Sequence, residues 1–269
     1  MARKTDKHTF VVCAYKESAF LDDTVSRLLN QTVKSRVLIS TSTPNEAIRA
    51  VANKYGLEVR VNPKGGTSAR DWNFAYSQAD SEYVTLAHQD DIYEPTFAER
   101  TLSALENAKN PVLAYTDYYE LRYAQEGGKG ERVESNRILR LKRKMLRTIN
   151  IANGSRWLRN RVLSFGYPMN CPGTTYVKRR FKTLDFISEW QNSHDWEAAI
   201  RLASEKGEFL FVPELLLGHR IYLESQTTHT IRSGIRYKED FECFKKYWPA
   251  PIAGAILKRY AKSYDSNAL

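Results

Sequence analysis

The sequence predicts a single α/β domain with a mostly parallel central sheet, flanked by helices and followed by a C-terminal helical extension. Short β-rich runs alternate with helical patterns in the first half, which is typical of parallel strands joined by crossover helices. The 269 residues include 42% hydrophobic residues, enough to bury one large core. The C-terminal part combines a polar loop with one or two helical patterns.

The first half is predicted to alternate five strands with four helices. Apolar β-rich runs place the strands at 10–14, 36–40, 57–61, 83–87 and 112–116. Amphipathic spacing places the helices at 19–30, 45–55, 68–79 and 95–107. Gly56 is expected to end the second helix, since glycine commonly follows the last helical residue.

The pattern changes after the glycine-rich stretch 127–130, which predicts a flexible connection. A basic segment follows, and then a strand at 173–177, a helix at 193–206 and a short buried strand at 209–212. We therefore divide the chain into three regions, 1–120, 121–225 and 226–269.

The cysteines and the N-terminus indicate a cellular compartment. Cys13, Cys171 and Cys243 are odd in number and far apart, which fits neither a disulfide framework nor a metal-binding spacing. The basic N-terminus leads directly into a run of strand length, unlike a signal peptide. No stretch approaches the roughly 18 apolar residues of a spanning helix. We expect a cytoplasmic protein, soluble or peripheral on the inner face of the membrane.

Most of the net charge of +10 lies in one segment. Ten Lys or Arg residues and one acid, Glu134, fall within 132–161, a net charge of +9. Apolar residues recur there at helical spacing, at Ile138, Leu141, Met145 and Ile149. This predicts an amphipathic helix that faces an anionic membrane surface. The alternative is a basic, solvated helix packed on the domain's own core.

An acidic pair, Asp90 and Asp91, directly follows the predicted strand 83–87. Ligands bind at the carboxyl ends of strands in open α/β sheets, so this pair and the loop 15–17 are expected to line one crevice. Adjacent carboxylates suit Mg²⁺ or Mn²⁺, and such an ion stabilises a departing diphosphate as a Lewis acid. Alternatively, the two aspartates cap the helix that begins near Pro95.

These residues belong to a longer resemblance. The chain resembles the inverting family 2 glycosyltransferases of the A-type fold that build bacterial surface glycans, over about residues 8–230. The matching pieces, in order, are VVCAYKESAFLDDTVSRLLNQT, GGTSARDWNFAYSQADSEYV, HQDDIYEP, NCPGTTYVKRRF, HDWEAAIRLASEKGEFLFVPELLLGHR and the Ser-x-Thr at 225–227. The resemblance implies that 1–120 binds a nucleotide sugar, that 121–225 binds the acceptor, and that 226–269 forms a C-terminal loop and helices.

The resemblance also implies donor contacts in the first half. Tyr15 lies where the family stacks an aromatic ring on the nucleobase, although a lone tyrosine is more often part of the core. Arg70 corresponds to a diphosphate or base contact, or is an exposed helix arginine. Thr41 stands where many members have an aspartate that reads the base, which weakens the expectation of uridine. Glu17 is a further expected contact.

Asp90 falls in the slot of the second aspartate of the family's Asp-x-Asp motif, so the resemblance makes it a ligand of Mn²⁺ or Mg²⁺ and a donor contact. Asp91 is expected to be an additional metal ligand. His88 occupies the slot of the first aspartate, where it contacts the donor or metal, or bonds to a nearby backbone carbonyl.

The expected catalytic base is Asp195, which matches the second acid of the family's Glu-Asp pair, while His194 replaces the first. Alternatively, an acid in this position complements the dipole of the helix it begins. The segment 218–236 is predicted to be a mobile polar loop whose Arg232 and Arg236 close over the diphosphate. Tyr222 stands where many members have a histidine. The sequence leaves open whether His88, His219 or His229 contacts the metal.

The resulting expectation is a metal-dependent transfer from a nucleotide-diphosphate sugar, with a UDP-sugar as the first candidate, onto a glycan or lipid-linked acceptor. A nucleotidyltransferase is one alternative, but the first strand lacks the glycine-rich phosphate loop usual in that class. A nucleic-acid-binding protein is the other, suggested by basic residues interleaved with aromatics. It leaves the acidic pair and Asp195 unexplained, so no nucleic-acid partner is expected.

Overall fold

The computed structural model describes residues 3–123, 129–151 and 155–267. Within these ranges the strands are β1 (Arg3–Ala14), β2 (Val33–Thr41), β3 (Val59–Val61), β4 (Tyr83–His88), β5 (Ile92–Tyr93), β6 (Pro111–Arg122), β7 (Glu131–Val133), β8 (Thr174–Val177) and β9 (Glu208–Ile221). The α-helices are α1 (Leu21–Leu29), α2 (Glu46–Tyr55), α3 (Ser68–Ser77), α4 (Phe97–Asn107), α5 (Arg137–Ile151), α6 (Arg156–Leu163), α7 (His194–Ala203), α8 (Gln226–Arg232), α9 (Ile235–Lys245) and α10 (Ala250–Tyr260). Short 3-10 helices span Cys171–Gly173 and Ala261–Asn267.

The strands form one sheet in the order β3-β2-β1-β4-β8-β6-β9-β5, with β7 paired to β6. Strands β1 to β4, β6 and β9 run in one direction, and β5, β7 and β8 run in the other. The predicted mostly parallel α/β sheet is therefore confirmed.

Side chains of β1 alternate between two cores, one on each face of the sheet. Phe10 and Val12 pack with α1, α2 and α4 on one face. Val11 packs in the core of the other face, to which α3, α5, α6, α7, α9 and α10 contribute. The C-terminal helices therefore cover the same face of the sheet as the helix that begins with His194.

Local sequence signals define α2 as predicted. Asn45 begins it by accepting a hydrogen bond from the Ile48 N–H (2.9 Å), and Gly56 ends it in the left-handed conformation (φ 63°). The other predicted helices of the first half differ from the observed bounds by at most two residues at either end. Of the predicted flexible stretch 127–130, residues 127 and 128 lie outside the described residues.

Strands β6 and β9 are much longer than the predicted 112–116 and 209–212. They pair in parallel along almost their whole length, with an irregularity where Thr116 and Asp117 face Val212 and Leu215. The two extra residues on β9 include Pro213, and a bulge is where a strand accommodates proline. Pro213 ended the sequence pattern but not the strand.

The prediction that 218–236 forms a mobile loop is wrong, because most of this segment is strand and helix. Its first residues complete β9, and Ser225 caps α8 by accepting the Thr228 N–H (3.3 Å). Gly234, in the left-handed conformation (φ 73°), joins α8 to α9. Helix α9 buries two acids together with Cys243 and Phe244, so it lacks the apolar stripe by which a helix is recognised in a sequence.

The basic segment forms α5 as predicted, but the apolar stripe that was predicted to face a membrane does not lie on one outward face. Leu139, Leu146 and Ile149 are buried, whereas Leu141 is 60% exposed. The helix therefore packs on the domain's own core and turns Leu141 outward. In the described part of the chain, no helix is long and apolar enough to cross a membrane.

Candidate active site

A cavity of about 720 Å³ lies at the carboxyl ends of β1 and β4. The loops after these two strands line it together, as predicted, and further lining comes from the start of α7, the end of β9, α8 and α9. Among the predicted site residues, those that line the cavity are Tyr15, Glu17, His88, Asp90, Asp195 and Arg236.

Tyr15 stands at the rim of the cavity with 47% of its surface exposed. Its N–H donates to Gln89 Oε1 (2.9 Å), and Gln89 Nε2 donates to the Tyr15 carbonyl (3.0 Å). Lys16 has a positive φ of 54° and donates its N–H to Thr43 Oγ1 (2.6 Å). The loop is therefore fixed, and the ring of Tyr15 faces outward from the core, which favours a binding surface over core packing.

Thr41 and Arg70 are not among the described residues that line the cavity. Thr41 is buried and accepts the Thr43 N–H, and Arg70 is exposed on α3. The next residue, Asp71, does line the cavity, where it accepts hydrogen bonds from Ser42 and Asn62 (2.7 Å each). Neighbouring helical residues point about 100° apart, so an error of one position decides which side chain faces the cavity.

His88, Asp90 and Asp91 form a cluster in which one ligand atom of each lies within 4.8 Å of the others. Asp91 is fully buried, and its Oδ1 accepts hydrogen bonds from His219 Nδ1 (3.0 Å) and the Arg220 N–H (3.1 Å). Asp91 Oδ2 and His88 Nε2 have no hydrogen-bond partner among the described residues. Two buried, unpaired ligand atoms beside a second carboxylate fit a divalent cation.

The end of β9 holds this acidic turn in place. Tyr222 donates its hydroxyl to Asp90 Oδ2 (2.7 Å). Arg220 donates to the Asp90 carbonyl (2.9 Å) and to Asp23 Oδ2 (2.5 Å). The tyrosine that replaces a histidine of other members thus contacts the predicted metal ligand directly, a contact that the sequence analysis missed.

The two carboxylates of the cluster differ in acidity. Burial and the charge of Asp91 raise the pKa of Asp90. Burial acts to raise the pKa of Asp91 too. The charge of His219 and its hydrogen bond to Asp91 together have a larger effect, so the pKa of Asp91 is lowered. Burial lowers the pKa of His88, whereas at His219 the Asp91 carboxylate outweighs burial and raises the pKa. Asp91 is therefore the more acidic carboxyl group of the pair.

Asp195 lies in the first turn of α7 and lines the same cavity as Asp90. Its Oδ1 accepts the Trp196 N–H (2.7 Å). Burial raises its pKa to about 7, an effect that Arg236 opposes and Asp240 reinforces. A carboxyl group with a pKa near neutrality can take up a proton at physiological pH, which a mere helix cap does not need.

His194 stands beside Asp195 but is neutral. It is 1% exposed, between the rings of Trp72 (4.4 Å) and Phe186 (5.4 Å). Neither ring nitrogen meets a partner within the described parts of the chain, and burial lowers the pKa of this histidine to about 3. The first acid of the family's pair is therefore replaced by an uncharged group.

The structure brings only one of the two predicted clamp arginines to the cavity. Arg236 lies on α9 with its Nε 3.6 Å from Asp240 Oδ2. Arg232 is exposed on α8, away from the described cavity lining. Lys142, from the inner side of α5, does line the cavity and donates to the Tyr118 hydroxyl (2.9 Å). In the sequence, nothing distinguished Lys142 from the other basic residues of this segment as a residue of the site.

The sequence matches the family model described as "Glycosyl transferase family 2" over residues 9–179. Comparison with curated proteins gives no significant match.

Solved structures with the same fold share little sequence with this chain. S. aureus TarS 1-349 superimposes with a TM-score of 0.63 and 13% identity, covering 97% of this chain and 72% of that one. The same fragment with UDP-GlcNAc gives a TM-score of 0.62 and 12% identity, over 97% of this chain and 73% of that one. A mannosyltransferase from Pyrobaculum calidifontis with GDP-Man and Mn²⁺ gives a TM-score of 0.58 and 15% identity, over 97% of this chain and 70% of that one. The chain spans 44% of a longer S. aureus TarS structure.

Proposed function

Because the chain belongs to glycosyl transferase family 2, we propose that it transfers a sugar from a nucleotide-diphosphate donor to a hydroxyl group of a glycan or lipid-linked acceptor, with inversion at the anomeric carbon. The proposed setting is the biosynthesis of a surface polysaccharide. The observation that carries the proposal is a single cavity lined both by Asp90, which belongs to the carboxylate cluster, and by Asp195, whose pKa is near 7. Family membership also favours glycosyl transfer over a nucleotidyltransferase or a nucleic-acid-binding protein.

We propose Asp90 and Asp91 as the residues that hold Mn²⁺ or Mg²⁺, with His88 as a third candidate ligand. The bound ion supplies a Lewis acid for the diphosphate oxygens. The chain's own contribution is to orient the ligands, since His219 and the Arg220 N–H fix one oxygen of Asp91, while the other accepts no hydrogen bond from the described residues. The mannosyltransferase of similar fold was solved with Mn²⁺, which supports the choice of ion.

In the proposed reaction Asp195 accepts the proton of the acceptor hydroxyl. The acceptor oxygen forms a bond to the anomeric carbon as the bond from that carbon to the diphosphate oxygen breaks, so the proton passes to Asp195 and the electron pair to the nucleotide. Arg236 also lines the cavity and adds positive charge near the Asp195 carboxylate. Glu17 and His88, which also line the cavity, are proposed as further donor contacts.

The nucleobase is proposed to stack on Tyr15, with Asp71 as the carboxylate that reads its N–H groups. Ser42 and Asn62 hold Asp71 in place, which supports this assignment over Thr41 and Arg70. UDP-sugars are the first donors to test, and GDP-sugars the second, because similar structures contain UDP-GlcNAc and GDP-Man.

A panel of UDP- and GDP-sugars, each with Mn²⁺, tests the proposal by thermal stabilisation and by release of the nucleotide diphosphate. We expect one donor to raise the melting temperature and to be hydrolysed slowly in the absence of acceptor. Asp195→Asn should keep the stabilisation and lose the hydrolysis. If no nucleotide sugar stabilises the wild type and none is hydrolysed, the proposal is wrong.

We also propose that the outward face of α5 and the start of α6 contact an anionic membrane surface, as suits a lipid-linked acceptor. Arg140, Lys144 and Arg147 are exposed beside Leu141, and Trp157 is 74% exposed. Lys142 and Arg143 serve the domain itself, since Arg143 pairs with Asp117 (2.6 Å). Lys142 and Arg143 are therefore not part of the proposed membrane surface.

Vesicle sedimentation tests the membrane contact. Changing Arg140, Lys144 and Arg147 to Ser should weaken binding to anionic vesicles by about 3 kcal/mol, or roughly 100-fold, at about 1 kcal/mol per basic residue. The matched control changes Lys64, Lys109 and Lys206 to Ser. These lysines are exposed elsewhere on the protein, so the control removes the same three positive charges from other surfaces. Equal sedimentation of both variants and the wild type would exclude this surface.

A further inference from the structure

The C-terminal helices contact the residues that lead into α7, although they lie beyond residue 179, where the family match ends. One face of α9 carries these contacts, through Glu239, Asp240, Cys243 and the following Lys246. We propose that Glu239 and Asp240 are positioning residues, which fix the entry to α7 and thereby the place of the Asp195 carboxylate in the cavity. The inference rests on the proposed function of Asp195 as the base.

Glu239 binds three consecutive backbone N–H groups. Its Oε1 accepts the Gln191 N–H, and its Oε2 accepts the N–H groups of Asn192 and Ser193, each at 2.8 Å. The side chain is buried, with the residue 8% exposed. Charge-assisted hydrogen bonds of this kind are the strongest that a loop can receive. The last of the three residues is only two positions before Asp195.

Asp240 holds the side chain of Ser193, the residue just before α7. Its Oδ1 accepts the Ser193 hydroxyl (2.5 Å), and its Oδ2 accepts the Tyr264 hydroxyl (2.5 Å). Ser193 consequently makes no capping hydrogen bond with its own side chain, although serine is a preferred cap. The first turn of α7 is therefore held from another helix rather than by its own N-cap side chain.

Other contacts join the same two regions. Lys246 Nζ donates to Glu197 Oε1 (2.9 Å) in the first turn of α7. From α8, Thr230 donates to Asn192 Oδ1 (2.8 Å). Residues 191–193 and the first turn of α7 are thus hydrogen-bonded to the C-terminal helices through both side-chain and backbone atoms. A change at Glu239 should therefore displace Asp195.

Asp240 also affects the charge around Asp195. The groups that face Asp195 are Arg236, Asp240 and Cys243 from α9, and Tyr167, Cys171 and Tyr176 from the segment that leads into β8 and from β8 itself. The negative charge of Asp240 raises the pKa of Asp195, and Arg236 lowers it. Asp240→Asn removes the first effect and frees Arg236 from its partner, so both changes lower the pKa of Asp195.

The test compares Glu239→Gln and Asp240→Asn with a control on the same helix, Glu242→Gln. The Glu242 side chain is 50% exposed and pairs only with Lys245 among the described residues. Hydrolysis of UDP-GlcNAc and GDP-mannose, with Mn²⁺ and the full chain, gives kcat, KM and the pH profile. Binding of UDP and GDP, measured by calorimetry, reports on the donor site alone.

We expect Glu239→Gln to lower kcat by about 100-fold, the scale of a misplaced catalytic group, with nucleotide affinity unchanged. Asp240→Asn should move the acid limb of the pH profile to lower pH, which a loss of structure alone would not do. Wild-type kcat in Glu239→Gln, or an unmoved acid limb in Asp240→Asn, would overturn the inference. If Glu239→Gln does not fold, the pH profile of Asp240→Asn decides.

Asp195→Asn, measured in parallel, separates this inference from the proposed function. If Asp195→Asn loses turnover while Glu239→Gln and Asp240→Asn behave like the control, only the positioning is wrong. If Asp195→Asn retains wild-type turnover, the proposed function of the base is wrong, and the positioning inference falls with it.

Discussion

Replacing Asp195 by asparagine changes the pH dependence of turnover in a predictable way. Because burial raises the pKa of Asp195 to about 7, and only the ionised form accepts a proton, wild-type turnover should rise about tenfold per pH unit below pH 7 and level off above it. Asp195→Asn should lower turnover by about 100-fold or more at pH 8 and abolish this acid limb.

The same pKa links Asp195 to folding. The carboxyl group ionises near 3.8 in the unfolded chain and near 7 in the fold, so between these pH values the folded state holds a proton that the unfolded state has lost. The free energy of unfolding therefore falls as the pH rises from about 4 to about 7, by up to about 4 kcal/mol. In Asp195→Asn the side chain is neutral at every pH, so the variant does not lose this part of its free energy of unfolding.

Urea unfolding of the wild type and Asp195→Asn, followed by tryptophan fluorescence at pH 5 and pH 8, measures the effect. We expect the variant's advantage in free energy of unfolding to be larger at pH 8 than at pH 5 by about 2.6 kcal/mol. Glu242→Gln serves as the control that changes an exposed acid. The reasoning would be refuted if the two proteins differed in free energy of unfolding by the same amount at both pH values and the acid limb of wild-type turnover were centred below about pH 5.

Three further substitutions test other parts of the site. Asp90→Ala should abolish Mn²⁺-dependent donor hydrolysis without lowering the melting temperature, and hydrolysis within about tenfold of wild type would contradict its assignment as a metal ligand. His219→Ala leaves Asp91 Oδ1 with only the Arg220 N–H, so urea unfolding in EDTA should show a loss of about 1–3 kcal/mol, and an unchanged value would exclude this support. Tyr15→Ala should weaken binding of both UDP and GDP by about 1 kcal/mol or more in calorimetry, since stacking tolerates different bases, whereas unchanged affinity would remove the ring from the nucleobase site.

The sequence predicted the part of the fold that local signals define. The alternation of strands and helices before residue 107 needs only residue periodicity and caps such as Asn45 and Gly56. The strand that contains Pro213 was cut short in the prediction because its pairing with β6, not its own residues, maintains it. Helices were predicted after residue 226, but α9 was given no bounds because two of its buried residues are the acids Glu239 and Asp240, whose partners lie about 50 residues away.

The loops of Tyr15 and Asp90 were predictable because each follows a strand end, whereas Asp195 was found only through the family resemblance. All three side chains line the cavity. Arg232 and Thr41 do not, since their orientation depends on elements whose exact start and rotation the sequence leaves open. The contact of Tyr222 with Asp90 joins positions 132 residues apart, and such a pairing arises only from the packing of β9 beside the acidic turn.

The most direct test of the central claim is a crystal structure of the chain with Mn²⁺ and the nucleotide sugar selected from the donor panel. The account predicts an anomalous manganese peak within bonding distance of Asp90 and Asp91, the diphosphate on that ion, and the anomeric carbon facing Asp195 across the cavity. Manganese bound away from both aspartates, or a sugar whose anomeric carbon faces away from Asp195, would contradict it.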